Sequence, residues 1–319
     1  MFIENMEVKK MKKDEKKAII ILPTYNGEKY LSELLDSIYN QTYPLIEIIT
    51  RDDGSTDNTT KIIKEYSKKN IKGRKITIIE NGGKTLKCPD CFIKLLEIAN
   101  DGDYYFFCDQ DDYWMSDKIS QAISKLKKVS DKPALHFGAY EFCDENLKYI
   151  TNSPKVPQDV GLRNVIYDYW PLGFNISFNK RLYDFVFNNK PEHIYYHDCW
   201  FAQVALGVGT FIYSDNPSVK YRRQKNAVTY SNHNKFSLLI WRIKRFFFNN
   251  DNLINLKKIL NEYNILFNKY LSDEDKKMLN IFTNDSFKNY FKRVFYPHRL
   301  RLKITDEIGL RILFIIGKL

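Results

Sequence analysis

The 319-residue chain is 44% hydrophobic and 15% aromatic, which provides enough apolar material for a large folded core and excludes a disordered or fibrous protein. Its formal net charge is +11. The five cysteines are scattered, and only Cys88 and Cys91 have a CxxC spacing, so we expect reduced thiols in the cytoplasm and no zinc site. The sequence shows no secretory segment and no apolar run of about 18 residues, so it predicts no membrane-spanning helix.

Strand and helix patterns alternate through the first third of the chain. The Lys-rich start at 1–17 has no periodicity and is expected to be a flexible extension. Apolar runs typical of strands buried on both faces alternate with apolar stripes at helical spacing. The predicted strands cover 18–23, 46–50, 75–80 and 103–109, and the stripes between them lie within 31–38, 62–66 and 92–99. This alternation is typical of βαβ units and predicts an α/β fold with a parallel sheet.

Three of these strands are followed by polar clusters: TYNGE at 24–28, RDDGSTD at 51–57 and DQDD at 109–112. The carboxyl ends of parallel strands meet at one edge, where open α/β sheets bind ligands, so the clusters are expected to line one cleft. The carboxylates of DQDD would repel one another unless a cation came between them. A solvated turn is the alternative for a single acidic cluster, but the convergence of three clusters favours a cation site.

Several nucleotide sites are excluded by sequence. No GxGxxG follows the first strand and no GxxxxGK[ST] occurs, so neither a Rossmann dinucleotide site nor a P-loop is supported. A carboxylate-rich edge without a glycine-rich phosphate loop suits a nucleotide whose diphosphate is bridged by a metal ion. Mg²⁺ and Mn²⁺ take oxygen ligands and accept phosphate oxygens as well, so either is the expected cofactor.

The segments ILPTYNGEKYLSELLDSIYNQTYPLIEIITRDDGSTDNT and FFCDQDDYW resemble the family 2 glycosyltransferases, whose GT-A fold binds nucleotide-diphospho-sugars. A later segment, HDCWFAQVALGVGTFIYSDNPSVKYRRQ, resembles the acceptor-side block of the bacterial rhamnosyltransferase-like group. The resemblance implies a GT-A domain at 18–230 with a mainly parallel central sheet flanked by helices. It leaves 231–319 as a basic, mostly helical C-terminal region.

The family pattern implies roles for individual residues at the donor site. Asp109 and Asp111 match its DxD motif, with Asp111 as the more direct metal ligand. Either Asp52 or Asp53 would accept a hydrogen bond from N3–H of a uracil or thymine. The other residues that the pattern implies at the nucleotide pocket are Pro23, Thr24, Tyr25 and Glu28, and Gln110 is predicted at the donor with them. Gln224 stands where the family often has a histidine, and Arg222, Arg223 and Lys225 are expected to pair with the diphosphate in compensation.

Asp198, in YYHDCW, matches the catalytic base of the family. An inverting transfer needs one carboxylate to take the proton from the acceptor hydroxyl as that oxygen attacks the anomeric carbon. The alternative for Asp198 is a helix N-cap, and the two roles are compatible. The acceptor is predicted to contact Trp114, His197 and Trp200, with core packing as the alternative for the Trp rings.

The resemblance implies a metal-dependent, inverting glycosyltransferase of bacterial cell-wall or capsular polysaccharide synthesis. The expected donor is dTDP-rhamnose or a UDP-hexose, and the expected acceptor is a saccharide, which we interpret as lipid-linked. The alternative is a non-catalytic saccharide- or membrane-binding protein of the same fold. A nucleic-acid partner is not expected, because acidic clusters line the predicted cleft and no recognition motif occurs.

Positive charge is concentrated at the C-terminal end of the chain. From Val219 onward, 21 Lys and Arg stand against 8 Asp and Glu, a balance of +13. Aromatic and cationic residues mix at 237–250 and at 289–304, which suits an anionic membrane surface. We therefore expect a cytoplasmic protein attached peripherally to the inner face of the cell membrane. A helical packing or oligomerisation subdomain is the alternative.

Overall fold

The structure is a computed structural model that describes residues 16–168, 170–192, 194, 196–223 and 250–318, with side chains from residue 257 in the last range. The predicted flexible extension at 1–17 lies outside the described residues except for its last two positions. Gln224, Lys225 and the basic segment up to residue 249 also lie outside them.

The predicted strand–helix alternation is confirmed in the first third of the chain. Five consecutive residues of the first strand, 18–22, have no exposed surface, which explains the continuous apolar run. Helix packing follows the predicted stripes, since the buried face of the first helix carries Leu31, Leu34 and Ile38. The elements are β1 Ala18–Thr24, α1 Glu28–Tyr39, β2 Ile46–Asp52, α2 Thr59–Ser67, β3 Arg74–Ile79, α3 Asp90–Ile98 and β4 Tyr104–Phe107.

The first four strands run parallel, and β1 lies between β2 and β4. Thr24 at the end of β1 is in register with Asp52 at the end of β2, and Ile21 is in register with Phe107 at the end of β4. The three polar clusters that follow these strands therefore lie at one edge of the sheet, as the sequence predicts.

Later strands make the sheet mixed while leaving the α/β class as expected. The further elements are β5 Tyr113–Trp114, α4 Lys118–Leu126, β6 Ala134–Cys143, β7 Tyr149–Asn152, β8 Ile176–Asn179, α5 Lys180–Asn188, α6 His197–Val208 and β9 Thr210–Arg222. Strand β8 lies between β4 and β6 and is antiparallel to both, whereas β9 is parallel to β6. The sheet order is β3-β2-β1-β4-β8-β6-β9-β5, with β7 on β6.

The C-terminal region is helical, as predicted, and packs on α6. It contains α7 Asn250–Phe267, α8 Asp273–Thr283, α9 Phe287–Val294 and α10 Ile304–Ile315. The Tyr263 hydroxyl of α7 donates to the Gln203 carbonyl at 2.9 Å, and its ring meets Trp200 edge-on at 5.8 Å. Within the described residues, none of the helices combines the length and the apolar character that crossing a membrane requires. The predicted boundary at 230 lies outside the described residues.

Candidate active site

Hydrogen bonds connect the loops that follow β1, β2 and β4. The Gln110 side chain accepts from the Tyr25 N–H at 2.9 Å and donates to the Tyr25 carbonyl at 2.8 Å. Asn26, whose φ is +47°, accepts from the Thr56 N–H at 2.9 Å, and its own N–H donates to the Ser55 hydroxyl at 2.8 Å. Asn tolerates this left-handed conformation better than most residues do. The three polar clusters therefore form one connected cleft wall.

Glu28 and Thr24, both predicted at the donor, also hold this wall together. The Glu28 carboxylate accepts from the Asn58 N–H at 2.7 Å, and the Glu28 N–H donates to Asp57 at 3.1 Å. Thr24 is buried, and its hydroxyl donates to Asp52 at 3.0 Å. Tyr25, by contrast, is 55% exposed. Asp57 and Asn58 were not among the predicted site residues, although they belong to the same DDGSTDN sequence.

Asp52 and Asp53 have different surroundings. Asp53 is 5% exposed, pairs with Arg51 and accepts from the N–H groups of Leu86 and Lys87. Burial alone would raise the pKa of Asp53, but these donors outweigh it and lower the pKa below its usual value. Asp52 is half-buried and accepts from the Ser55 N–H at 2.8 Å. Asp53 thus fixes the loop at 84–87, and Asp52 is the more accessible of the two carboxylates.

Carboxylates from two distant parts of the chain meet in the cleft. Asp109 and Asp111 follow β4, and Asp198 lies in the first turn of α6, where it accepts from the Gly173 N–H at 3.2 Å and from the Cys199 N–H at 2.8 Å. Burial, then the negative charges of Asp111 and Asp198, raise the pKa of Asp109 to about 7. The N-cap of α6 is Tyr196, so the alternative role of Asp198 as an N-cap is not what the structure shows.

Asp112, the last carboxylate of DQDD, turns away from the cleft into the core. It has no exposed surface, and one of its oxygens accepts from the Arg222 N–H at 3.3 Å. Burial, followed by the charges of Asp111 and Asp109, raises its pKa. Nearby Lys118 is 3% exposed, and burial lowers its pKa to about 7. Of the carboxylates of DQDD, Asp109 and Asp111 therefore remain at the cleft.

Arg222 has other partners than the donor diphosphate that was expected for it. Its side chain is 2% exposed, and its guanidinium pairs with Glu33, donates to the carbonyls of Asp111 and Glu145, and lies 4.2 Å from the Tyr30 ring centroid. These contacts occupy the group that was expected to reach the donor diphosphate. From the end of β9, Arg222 instead fixes the backbone of the loop after β4.

The predicted acceptor contacts are not supported by the burial of their side chains. Trp114 is 1% exposed and Trp200 is 3% exposed, so neither has an open ring face for a sugar. His197 is 5% exposed and stacks on Phe92 with ring centroids 4.0 Å apart. Burial lowers its pKa, against the effect of Asp198. Core packing, the stated alternative for the Trp rings, describes all three residues, since the His197 ring also meets Phe107 edge-on at 4.6 Å.

The residues of the cleft fit a divalent cation that takes part of its coordination from a substrate. Among the described residues, no group of three or more His, Cys, Asp or Glu is arranged to hold a metal alone. Asp109 and Asp111 supply hard oxygen ligands, and their mutual repulsion favours a cation between them. One or two carboxylates together with substrate phosphates is a usual way for proteins to hold Mg²⁺.

An α/β fold with a carboxylate-lined cleft at the carboxyl edge of its sheet is typical of GT-A glycosyltransferases. Residues 19–194 match the family model of glycosyl transferase family 2. The match covers more than half of the chain, so the chain belongs to this family. The predicted rhamnosyltransferase-like subgroup is not distinguished by this match and stays a prediction.

Curated relatives include an uncharacterized glycosyltransferase of Rickettsia felis, 28% identical over 70% of this chain and 37% of its own length. A putative teichuronic acid biosynthesis glycosyltransferase of Bacillus subtilis, TuaG, is 30% identical over 46% of this chain and 57% of its own. The poly(ribitol-phosphate) β-N-acetylglucosaminyltransferase TarS of Staphylococcus aureus is 36% identical over 32% of this chain and 18% of its own. The chain spans about 37% of the length of the Rickettsia felis relative.

Solved structures show the same fold at low sequence identity. Residues 1–349 of Staphylococcus aureus TarS, in complex with UDP-GlcNAc, align with a TM-score of 0.58 and 18% identity over 94% of this chain and 81% of that one. The mannosyltransferase PcManGT of Pyrobaculum calidifontis, in complex with GDP-Man and Mn²⁺, aligns with a TM-score of 0.51 and 18% identity over 95% and 75% of the two chains. These likenesses confirm the GT-A-like fold.

Proposed function

We propose that this protein is an inverting, metal-dependent glycosyltransferase that moves a sugar from a UDP- or dTDP-sugar to a saccharide acceptor in bacterial cell-surface polysaccharide synthesis. The observation that carries the proposal is the meeting of Asp109 and Asp111 with Asp198 in one cleft. Family membership supports the transferase class, and the names of TuaG and TarS support the polysaccharide context.

On the donor side, Asp109 and Asp111 would hold Mn²⁺ or Mg²⁺ together with the diphosphate. The metal would stabilise the negative charge of the departing nucleoside diphosphate. Asp52 is the carboxylate proposed to accept from N3–H of the pyrimidine, because it is half-buried while Asp53 is enclosed. The exposed ring of Tyr25 lies beside it in the pocket wall and offers a stacking face for the base.

Asp198 is the proposed general base. The Gly173 and Cys199 N–H groups each donate a hydrogen bond to this carboxylate and so fix its orientation in the cleft. A single carboxylate suffices for an inverting transfer, since no covalent sugar–enzyme intermediate forms. Dedicating Asp109 and Asp111 to the metal leaves Asp198 for the acceptor hydroxyl.

We further propose that the acceptor is lipid-linked and that the protein works at the cytoplasmic face of the membrane. The +13 balance after residue 218 supports this location, although 224–249 lies outside the described residues. A membrane-bound acceptor would then meet a donor that arrives from the cytosol.

A donor panel tests the proposed function. UDP-glucose, UDP-galactose, UDP-GlcNAc, dTDP-rhamnose and GDP-mannose are each incubated with the protein, and release of the nucleoside diphosphate is measured with Mn²⁺ and with EDTA. We expect metal-dependent binding and slow hydrolysis of at least one uracil or thymine donor. Binding of saccharides without binding of any donor would instead support the non-catalytic alternative.

A further inference from the structure

Helices α9 and α10 expose two apolar stripes. Phe287, Phe291 and Phe295 follow one another at a spacing of four and are 79%, 45% and 75% exposed, so they lie on one face of α9 and its C-terminal end. Helix α10 exposes a second stripe, made of isoleucines. Its members, Ile304, Ile308, Ile312, Ile315 and Ile316, are between 41% and 65% exposed.

The two stripes are joined into one surface, which we name the Phe–Ile surface. The Phe291 ring lies 5.0 Å from that of Phe287 and 5.3 Å from that of Tyr290. The Tyr290 hydroxyl then donates to the Ile315 carbonyl at 2.7 Å, which connects the two stripes. The Arg311 guanidinium of α10 also donates to the carbonyls of Val294 and Tyr296. The two helices therefore present their apolar residues from one hydrogen-bonded unit.

Positive charges predominate around the Phe–Ile surface. Between Phe287 and Lys318, the exposed Lys and Arg side chains are those of Lys288, Lys292, Arg299, Lys303 and Lys318. The exposed acidic residues beside the surface are Glu274 and Asp285, and Asp285 pairs with Lys257 and Arg293. The two acidic residues between Phe287 and Lys318 are less exposed than these cations. Asp306 is half-buried, and Glu307 is 7% exposed and pairs with Arg311.

A groove of about 500 Å³ lies beside this surface, between α8 and α9. Met278 and Ile281 of α8 and Phe291 of α9 contribute apolar atoms to it, and Lys277 and Lys292 contribute positive charge. Glu274 is the acidic residue among the groove residues. The mixture of apolar and cationic side chains on α9 therefore continues onto α8 through this groove.

We propose that the Phe–Ile surface docks onto an anionic lipid bilayer. Large apolar side chains flanked by Lys and Arg are the combination that inserts at the boundary of headgroups and acyl chains. A second copy of this chain is the competing occupant. In an interface between two copies, each copy would bring its five cations to the same contact, and like charges across an interface oppose association. Docking would give the protein access to a lipid-linked acceptor, and this benefit rests on the proposed function. The docking itself does not depend on the proposed function.

Co-sedimentation of the full chain with lipid vesicles tests the proposal. Vesicles of phosphatidylcholine with phosphatidylglycerol are compared with vesicles of phosphatidylcholine alone, at about 0.1 M and about 1 M salt, where the Debye length is about 10 Å and about 3 Å. We expect binding to the anionic vesicles that weakens at high salt. Equal binding to both vesicle types, or none to the anionic ones, would overturn the proposal.

Two pairs of variants assign the binding to this surface. Lys288→Glu, Lys292→Glu and Lys303→Glu together are expected to lower the vesicle partition coefficient at least tenfold, since each cation contributes about fivefold. The matched control reverses the exposed Lys61, Lys64 and Lys68 on and after α2, with the same change in net charge. The double variant Phe287→Ser with Phe295→Ser removes apolar side chains from the Phe–Ile surface. Its matched control is the double variant Ile71→Ser with Ile265→Ser, whose isoleucines are exposed away from this surface.

Each remaining outcome has a definite meaning. Vesicle binding that the surface variants retain, or that the control variants lose equally, would overturn the assignment. A concentration-dependent dimer in light scattering that Phe287→Ser and Phe295→Ser abolish, without vesicle binding, would make this surface a self-association interface instead. Donor hydrolysis in solution is measured on the same variants and is expected to stay unchanged. A failure of the proposed function would show in this assay, whereas a failure of docking would show in the vesicle assay.

Discussion

The side-chain amide of Gln110 forms two hydrogen bonds with the main chain of Tyr25, at 2.9 and 2.8 Å. Gln110 lies between the two carboxylates of the DQD sequence, so these bonds fix the loop after β4 against the loop after β1. Close packing reinforces them, because a Cβ at Gly27 would lie 2.4 Å from the Gln110 side-chain oxygen. The spacing between the proposed metal ligands and the nucleotide pocket thus depends on residue 110.

Gln110→Ala is predicted to weaken donor binding. The change removes both bonds to Tyr25, each worth about 1 kcal/mol, so we expect the dissociation constant for the donor to rise about tenfold with little change in the melting temperature. Isothermal titration calorimetry with Mn²⁺ present measures this. Gln121→Ala, which removes a surface hydrogen bond to Asp117, is the control. Unchanged donor affinity in Gln110→Ala would show that the loop keeps its position without the amide.

Asp111→Asn is predicted to abolish metal-dependent donor binding while leaving the fold intact. The half-buried carboxylate lies in the loop after β4, outside the core, and Asn supplies one neutral oxygen in place of a charged ligand. Donor titration with Mn²⁺ and with EDTA checks this, alongside the exposed control Asp215→Asn. Equal donor affinity in wild type and Asp111→Asn, in both buffers, would contradict metal binding at this position.

Sequence patterns predicted the parts of this fold that depend on local burial. The apolar run at 18–22 identified a strand buried on both faces, and the strand–loop order placed three polar clusters at one edge. The direction of β8 was not predictable in this way, because alternating burial says nothing about which strands pair or in which sense. The isoleucine stripe of α10 was missed for a related reason: its exposure depends on which face packs against α9.

In the candidate site too, features that follow from local sequence were predictable, and features that depend on contacts between distant residues were not. The DQDD and DDGSTD sequences marked the cleft because acidic residues after parallel strands lie at the ligand-binding edge. Acceptor contact and core packing both stayed open for Trp114 and Trp200, because a Trp beside a motif gives no sign of which way its ring packs. Arg222 was assigned to the donor from sequence proximity, whereas its partners Glu33 and Glu145 are distant in the chain.

Arg222→Lys is predicted to destabilise the protein and to weaken donor binding together. Lysine cannot reproduce a planar group that contacts Glu33 and the Asp111 and Glu145 carbonyls, and the variant leaves buried acceptors unpaired at a cost of about 2–4 kcal/mol. Differential scanning calorimetry and donor titration measure the two effects. The control is Arg181→Lys on α5, an exposed arginine that donates to the Ser130 carbonyl away from the cleft. A loss of binding without any loss of stability would favour direct contact with the diphosphate.

His136 is predicted to make stability fall as pH falls. It is 4% exposed, with its ring nitrogens 3.2 Å from the Ser177 hydroxyl and 2.9 Å from the Ser214 hydroxyl, and burial lowers its pKa to about 3. Below about pH 6.5 the unfolded chain binds a proton that the folded protein does not, so the stability present above that pH is lost progressively toward pH 3.

The pH effect of His136 amounts to about 2 kcal/mol between about pH 7 and pH 5, at about 1.4 kcal/mol per unit below the unfolded pKa. Urea unfolding of His136→Gln at both pH values is expected to show a correspondingly smaller difference than wild type. His298→Gln, at an exposed histidine, is expected to match wild type. Identical pH dependence in His136→Gln and wild type would mean that this histidine is not buried in its neutral form.

Asp198→Asn gives the most direct test of the proposed mechanism, because it separates donor binding from transfer. The substitution keeps one side-chain oxygen, which can accept from either the Gly173 or the Cys199 N–H group, and removes the proton acceptor. In one set of titrations and nucleoside diphosphate release assays with Mn²⁺, we predict donor affinity within about threefold of wild type and turnover lower by about 10²–10⁴. Turnover near that of wild type would contradict the assignment of Asp198 as the catalytic base.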